Sequence, residues 1–337
     1  MGPQINSENK FLLNVKNLMT YFFIPEGTVK AVNDVSFHVK EAEIVGLVGE
    51  SGCGKSVTAL SILGLIPWPP GRIVDGQIIF QGEDLRKIRP QQLREIRGNK
   101  ISMIFQEPMT SLNPVYTLGR QIAEVYIEHQ ASAKKEALER AKDMLDKLGI
   151  PSASKRVHEY PHNLSGGMRQ RVMIAMALAC NPELILADEP TTALDVTIQA
   201  QILELMAELH QAVSTSILLI THNLGIVAEY AQRVIVMYSG KIVEEAPVVP
   251  IFGEPLHPYT IGLLSSIPKL GAKATGGKKR LSEIPGMVPN LNDLPQGCYF
   301  HPRCARARAI CQSEEPELIE IDPGHSVACW AVADGWA

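Results

Sequence analysis

The sequence predicts an α/β fold, a mostly parallel sheet with helices packed on it, followed by a small cysteine-rich C-terminal domain. Three observations predict it. Short β-branched apolar runs alternate with helical spacings through most of the chain. Hydrophobic residues make up 45 % of the 337, which suits a packed core and excludes a disordered chain. Beyond about residue 250 the periodicity fades while Pro and Cys accumulate.

The elements follow in order. Residues 11–15, 32–39 and 44–48 read as strands, and the third runs into a glycine-rich turn. Residues 57–64 have helical spacing and stop before Pro67. Residues 76–80 and 101–105 read as further strands. From 116 to 148 the pattern is helical. Ile122, Val125, Tyr126 and His129 share one period, Leu138, Ala141, Leu145 and Leu148 another, and Gly149 and Pro151 end it. A helix at 166–179, a strand at 184–187, a helix at 197–211 and strands at 217–220 and 234–238 complete an alternation that implies parallel strands joined by helices. Residues 271–280 (GAKATGGKKR) read as a flexible linker with solvated basic charges.

The net charge of -4 offers no basic field for nucleic acid. Residues 1–10 are polar and lack the apolar core of a signal peptide. No apolar run approaches the roughly 18 residues that span a bilayer. A soluble chain is expected, with any membrane role reached through a partner.

Two stretches carry chemistry. Gly49, Glu50, Ser51, Gly52, Cys53, Gly54, Lys55 and Ser56 match G-x-x-x-x-G-K-[ST] between an apolar strand and a helix that opens into Val57. The glycines let successive N–H groups turn inward around phosphate oxygens, and the helix adds its positive end. Lys55 supplies a charge for the β- and γ-phosphates, and the Ser56 hydroxyl suits Mg²⁺. Asp188 and Glu189 close the apolar run 184–187. Carboxylates at the carboxyl end of a buried parallel strand lie on the side where such folds bind ligands. Asp188 is expected to hold Mg²⁺ and Glu189 to polarise the attacking water.

Between these stretches, Leu164-Ser165-Gly166-Gly167-Met168-Arg169-Gln170-Arg171 resembles the signature motif of ABC ATPases. Physically it is a second anion site: Ser165 caps a helix, and two glycines let the backbone approach a γ-phosphate. The remaining motifs are similar to the same family. Gln106 resembles the Q-loop glutamine that touches Mg²⁺ and water, Ala193-Leu194-Asp195 the D-loop, and His222 the switch histidine. Phe22 fits the adenine-stacking aromatic, with Tyr21 the alternative.

The resemblance covers roughly residues 11–250. It implies the phosphate-loop ABC ATPase fold, with an antiparallel β part and a helical subdomain at about 107–163, in a nucleotide-binding domain spanning 1–255. Two such domains would meet head to tail, with ATP and Mg²⁺ between the phosphate loop of one and Ser165, Gly166, Gly167 and Gln170 of the other. Since the chain holds one cassette, a second ABC ATPase subunit is needed, expected to be a different chain. The 107–163 insert would couple to two transmembrane permease subunits at the cytoplasmic face of the cell membrane.

Two further stretches, Gln106-Glu107-Pro108-Met109-Thr110-Ser111-Leu112-Asn113-Pro114 and His257-Pro258-Tyr259-Thr260, resemble the dipeptide and oligopeptide permease branch. Ile284-Pro285-Gly286 and Pro289 add to that likeness. It implies import of di- or oligopeptides with an extracytoplasmic peptide-binding protein, and a permease-type C-terminal domain at 256–337. Nickel and oligosaccharide importers share the branch, so either cargo is an alternative. A soluble ABC ATPase acting on nucleic acid is the rival class, but the single cassette, the absence of long coiled coils and the acidic balance oppose it.

Of six cysteines, Cys298, Cys304, Cys311 and Cys329 crowd into the tail as C-x₅-C-x₆-C-x₁₇-C. In a reducing compartment that suggests a metal site more than disulfides. Four thiolates could hold a 4Fe–4S cluster or zinc. The absence of a close C-x₂₋₄-C pair favours the cluster, and the family tail is compatible with one. His301 and His325 are alternative ligands. Cys53, beside Lys55 and a helix N-terminus, is placed where a thiolate is favoured, and Cys180 reads as core.

Overall fold

The computed structural model describes residues 11–107, 111–191, 196–267 and 283–336. The expected linker at 271–280, residues 108–110 and residues 192–195 with Asp195 lie outside the described residues. The chain divides into two compact units. One contains Val39–Glu43 and Phe80–Ile220, and the other contains Leu13–His38, Ile44–Ile79 and the residues from Thr221 onward.

In the first unit, the strands Ile101–Ile104, Leu184–Asp188 and Ser216–Thr221 run parallel, with Ile101 opposite Leu184 and Asp188 opposite Ile220. Leu184–Asp188 and Ser216–Thr221 are buried at every position, as expected of parallel strands covered on both faces. The helical stretch expected at 116–148 is two helices, Leu118–Gln130 and Lys134–Lys147. Thr117 caps the first by accepting from the Arg120 N–H, and Ala131 ends it at a left-handed φ of 51°. Leu118, Ile122 and Tyr126 of one helix and Ala137, Ala141 and Leu145 of the next recur every fourth residue and are buried. The helices Gly166–Leu178 and Val196–Val213 belong to the same unit.

In the second unit, Ile44–Val48 runs parallel to Arg233–Tyr238, with Val45 opposite Arg233. Arg233–Tyr238 then folds back on Lys241–Pro247 through Ser239 and Gly240, both at positive φ (43° and 85°). Positive φ at both loop positions matches the twist of a tight hairpin. His325–Val327 pairs with Lys241–Pro247, and Ile319–Asp322 pairs with His325–Val327, both antiparallel. The strands Gly27–Val39, Leu13–Ile24 and Gly71–Phe80 lie side by side in that order. The runs expected at 11–15, 32–39 and 76–80 belong to these longer strands.

Glu244 stands in the middle of Lys241–Pro247 and is fully buried. Its carboxylate accepts from the Leu256 N–H (2.8 Å) and the His257 N–H (2.9 Å), and His325 Nε2 lies 2.8 Å from it. A buried carboxylate is tolerable only when its lone pairs are satisfied in this way. Val327, Cys329 and Ala331, with Leu256, Val332 and Trp336 against them, form the small core beside this network. Among the described residues, no helix is long and apolar enough to cross a membrane.

Candidate functional site

The buried strand Ile44–Val48 empties into Gly49 (φ 153°), Gly52 (φ 80°) and Gly54 (φ 105°). A Cβ on Gly49 would stand 2.2 Å from the Met237 carbonyl oxygen, and one on Gly54 2.2 Å from that of Ala31. Both positions therefore exclude a side chain on two grounds, dihedral and space. Gly54 is the N-cap of the helix Lys55–Ile62 and brings no side chain to its first turn, where Ser56 and Val57 lie half-buried. A helix start of this kind suits an anion. Ser51 and Gly52 form the exposed lip of the loop.

Lys55 is buried, and its Nζ donates to the carbonyls of Gly49 (2.8 Å) and Glu50 (2.9 Å). The ammonium thus stands over the loop concavity. Cys53 is 1 % exposed, and burial pushes its thiol pKa up against the downward pull of Lys55. The expectation of a thiolate there is corrected: desolvation outweighs the nearby charge.

Phe22 and Tyr21 face different surroundings, as successive residues of a strand do. The Phe22 ring packs so close to Gly71 that a Cβ on Gly71 would meet Phe22 Cε1 at 2.7 Å. The Tyr21 hydroxyl donates to Asn33 Oδ1 at 2.6 Å, and Asn33 Nδ2 donates to the Tyr299 hydroxyl at 3.0 Å. His222 is exposed after the strand Ser216–Thr221, and Asn223 next to it caps the helix Leu224–Tyr230.

The first unit carries the acidic turn. Asp188 is 3 % exposed at the end of its strand. Glu189 follows at a left-handed φ of 45°, uncommon for a residue other than glycine, and its N–H donates to the Ile220 carbonyl at 2.8 Å. Gln106 Nε2 donates to Glu189 Oε2 at 2.9 Å. In the same unit, Ser165 caps the helix Gly166–Leu178 by accepting from the Met168 N–H. A Cβ on Gly166 would meet open space, so the start of this helix is accessible. A Cβ on Gly167 would stand 3.0 Å from Ile198. Gln170 is buried and donates to the Pro190 carbonyl, one residue past Glu189. Asp195 lies outside the described residues.

Two contacts at the phosphate loop escaped the sequence reading. The Glu50 N–H donates to the Tyr259 hydroxyl at 2.8 Å, and Arg303 pairs with the Glu50 carboxylate at 2.7 and 3.1 Å. They join residues 209 and 253 positions apart, and no local pattern encodes such contacts.

The tail cysteines require a correction. Cys298, Cys304, Cys311 and Cys329 do line one cavity, with His257 and His301, but its volume is about 20 Å³. That is room for about one water and not for a cubane. Among the described residues, no group of three or more His, Cys, Asp or Glu is placed to hold a metal ion. Burial also raises the Cys298 pKa to about 12 and pushes Cys304 and Cys329 up. The iron–sulfur cluster and its zinc alternative are therefore withdrawn, and all six cysteines are free thiols.

Residues 32–192 match the family "ABC transporter", and residues 243–311 match "Oligopeptide/dipeptide transporter, C-terminal region". The chain is 55 % identical to the oligopeptide transport ATP-binding protein AppD of Bacillus subtilis, over 95 % of this chain and 96 % of that one. It is 49 % identical to the dipeptide transport ATP-binding protein DppD of Escherichia coli, over 94 % and 96 %. Among solved structures it resembles a dimeric ATP-binding cassette in a post-hydrolysis state bound to ADP and Pi, with a TM-score of 0.63 and 28 % identity, over 70 % of this chain and 98 % of that one. With these matches and near full-length alignments to both relatives, the chain belongs to the ABC transporter ATP-binding proteins of the oligopeptide/dipeptide branch, a family of ATPases.

Proposed function

We propose that this chain is an ATP-hydrolysing subunit that energises import of di- or oligopeptides by an ABC transporter. The observation that carries the reading is the presence, in one chain, of two glycine-opened helix starts, Lys55–Ile62 and Gly166–Leu178. One suits the phosphates from its own side. The other suits a γ-phosphate presented by a second subunit. The names of AppD and DppD support the peptide cargo, and so does the match over 243–311.

In this reading, Lys55 and the N–H groups of residues 49–57 bind the β- and γ-phosphates, and Phe22 stacks on adenine. Ser56, Asp188 and Gln106 would hold Mg²⁺, which neutralises developing charge on the phosphates when bound. Their oxygen donors are the hard ligands that Mg²⁺ prefers. Glu189 orients and deprotonates the attacking water, Gln106 positions it through the hydrogen bond to Glu189, and His222 contacts the γ-phosphate. Ser165, Gly166, Gly167 and Gln170 serve the signature across the subunit boundary, and Asp195 serves as the D-loop residue. Catalysis is then mostly positioning and charge stabilisation.

The cassette occupies 1–255, with its helical subdomain at about 107–163 meeting two transmembrane permease subunits. Residues 256–337 form the cysteine-rich C-terminal domain. The chain works at the cytoplasmic face of the membrane beside a second, different ATPase subunit, and an extracytoplasmic binding protein delivers the peptide. The test is peptide-stimulated ATPase and peptide uptake by the reconstituted transporter. Loss of both with Lys55→Ala is expected. ATPase without peptide uptake would overturn the cargo assignment.

A further inference from the structure

The phosphate loop is gripped by the C-terminal region at one residue. Glu50 lies between Gly49 and Gly52, and three of its groups are held. Its carbonyl accepts from Lys55 Nζ (2.9 Å), its N–H donates to the Tyr259 hydroxyl (2.8 Å), and its carboxylate takes the two arms of the Arg303 guanidinium (2.7 and 3.1 Å). Tyr259 is fully buried between the rings of Tyr238, at 4.6 Å, and Phe300, at 5.5 Å. Arg303 is 7 % exposed, and its remaining donors are committed: Nε to the Pro285 carbonyl (3.1 Å), Nη2 to that of Ile284 (3.4 Å) and Nη1 to the Tyr238 hydroxyl (3.4 Å). The guanidinium is therefore held by two carbonyls and a hydroxyl besides the Glu50 carboxylate. A two-armed charged contact of this kind, with the guanidinium buried and Glu50 partly exposed, is directional.

We infer that Arg303 is a positioning residue for nucleotide binding: by fixing Glu50 it sets the carbonyl that docks the Lys55 ammonium, and so shapes the phosphate loop. The inference rests on residues 49–57 being the nucleotide site. It makes the C-terminal region part of the ATP-binding apparatus of its own chain. A loop released at Glu50 would lose the placement of Lys55 and of the N–H groups that follow, so nucleotide affinity is the quantity at stake. The chemical step belongs to other residues and should move little.

The experiment compares full-length wild type, Arg303→Ala, Arg303→Lys, Glu50→Gln and the double variant Arg303→Ala/Glu50→Gln. MgATP affinity is measured by calorimetry, and KM and kcat in the assembled transporter. Arg303→Ala is expected to weaken MgATP binding and raise KM about tenfold, with kcat within about threefold. Lysine, which keeps the charge but not the fork, should restore affinity only in part. The double variant should be no worse than the poorer single one, because both remove the same contact. A folded Arg303→Ala protein that binds MgATP within about twofold of wild type overturns the inference, as does full multiplication of the two single effects. If Arg303→Ala does not fold, Glu50→Gln carries the same comparison, and unchanged MgATP affinity there overturns it. A wild-type chain that fails to bind MgATP overturns the nucleotide-site reading and this inference with it.

Discussion

Gln106 donates its side-chain amide to the Glu189 carboxylate at 2.9 Å, which ties the loop after one parallel strand to the acidic turn after its neighbour. Because Glu189 sits at a left-handed φ and its N–H is held by the Ile220 carbonyl, its carboxylate leaves the strand at an angle that an ordinary extended residue would not give. The glutamine and the backbone together aim the proposed base.

Glu189→Gln should keep MgATP binding and lower turnover by roughly 10² or more. Phosphate release under saturating MgATP is the measurement, and undiminished turnover would reassign the base. Gln106→Ala should lower kcat with a smaller change in KM, since it removes the residue that steers Glu189.

The two adenine candidates separate by substitution. Phe22→Ala should raise the KM for ATP by roughly tenfold, the loss expected for one stacking platform. Tyr21→Phe removes only the hydroxyl that donates to Asn33, so it should cost about 1 kcal/mol of folding stability and leave KM unchanged. Equal effects on KM would remove Phe22 from its assignment.

Burial lowers the His257 pKa from 6.5 to about 3, so the folded protein keeps this imidazole neutral, with Nδ1 accepting from the Tyr259 N–H. The folded value lies below the unfolded one. Its contribution is therefore complete above about pH 6.5 and is lost as pH falls towards 3. The unfolding free energy from denaturant titrations between pH 7 and pH 4.5 should fall by at most about 1.4 kcal/mol per pH unit from this group. His257→Asn should flatten that dependence, and an unchanged slope would refute it.

Cys53 is buried and its thiol is held neutral, so iodoacetamide at pH 8 should leave it unmodified in the folded chain and label it in urea. Peptide mass spectrometry reads the difference. Labelling of the native protein at the urea rate would mean that the loop opens far more often than its packing implies.

Local chemistry was legible where a pattern is complete within a few residues. Ile44–Val48 and Leu184–Asp188 read clearly because each is an unbroken buried run closed by glycine or by acids. Other features depend on distant partners. Lys241–Pro247 carries two glutamates, and Glu244 becomes a strand-centre residue only because Leu256, His257 and His325 satisfy it. The break between the helices at 118–130 and 134–147 rests on Ala131 at positive φ, which alanine does not advertise. The four tail cysteines line one cavity, but their spacing in the chain suggested a metal site that their placement does not form. Arg303 was invisible at the phosphate loop because its pairing is purely tertiary.

The satisfied carboxylate of Glu244 bears on how this chain could be shortened, by design or by descent. A version ending at residue 255 would keep every nucleotide motif yet lose the Leu256 N–H, the His257 N–H and the His325 imidazole together, leaving the Glu244 carboxylate without the partners that satisfy it on an uncovered strand. Tail and glutamate should therefore be inherited as a pair. Relatives that dispense with the C-terminal extension should carry a hydrocarbon side chain at this strand position, and grafting one there is the change most apt to rescue a trimmed cassette.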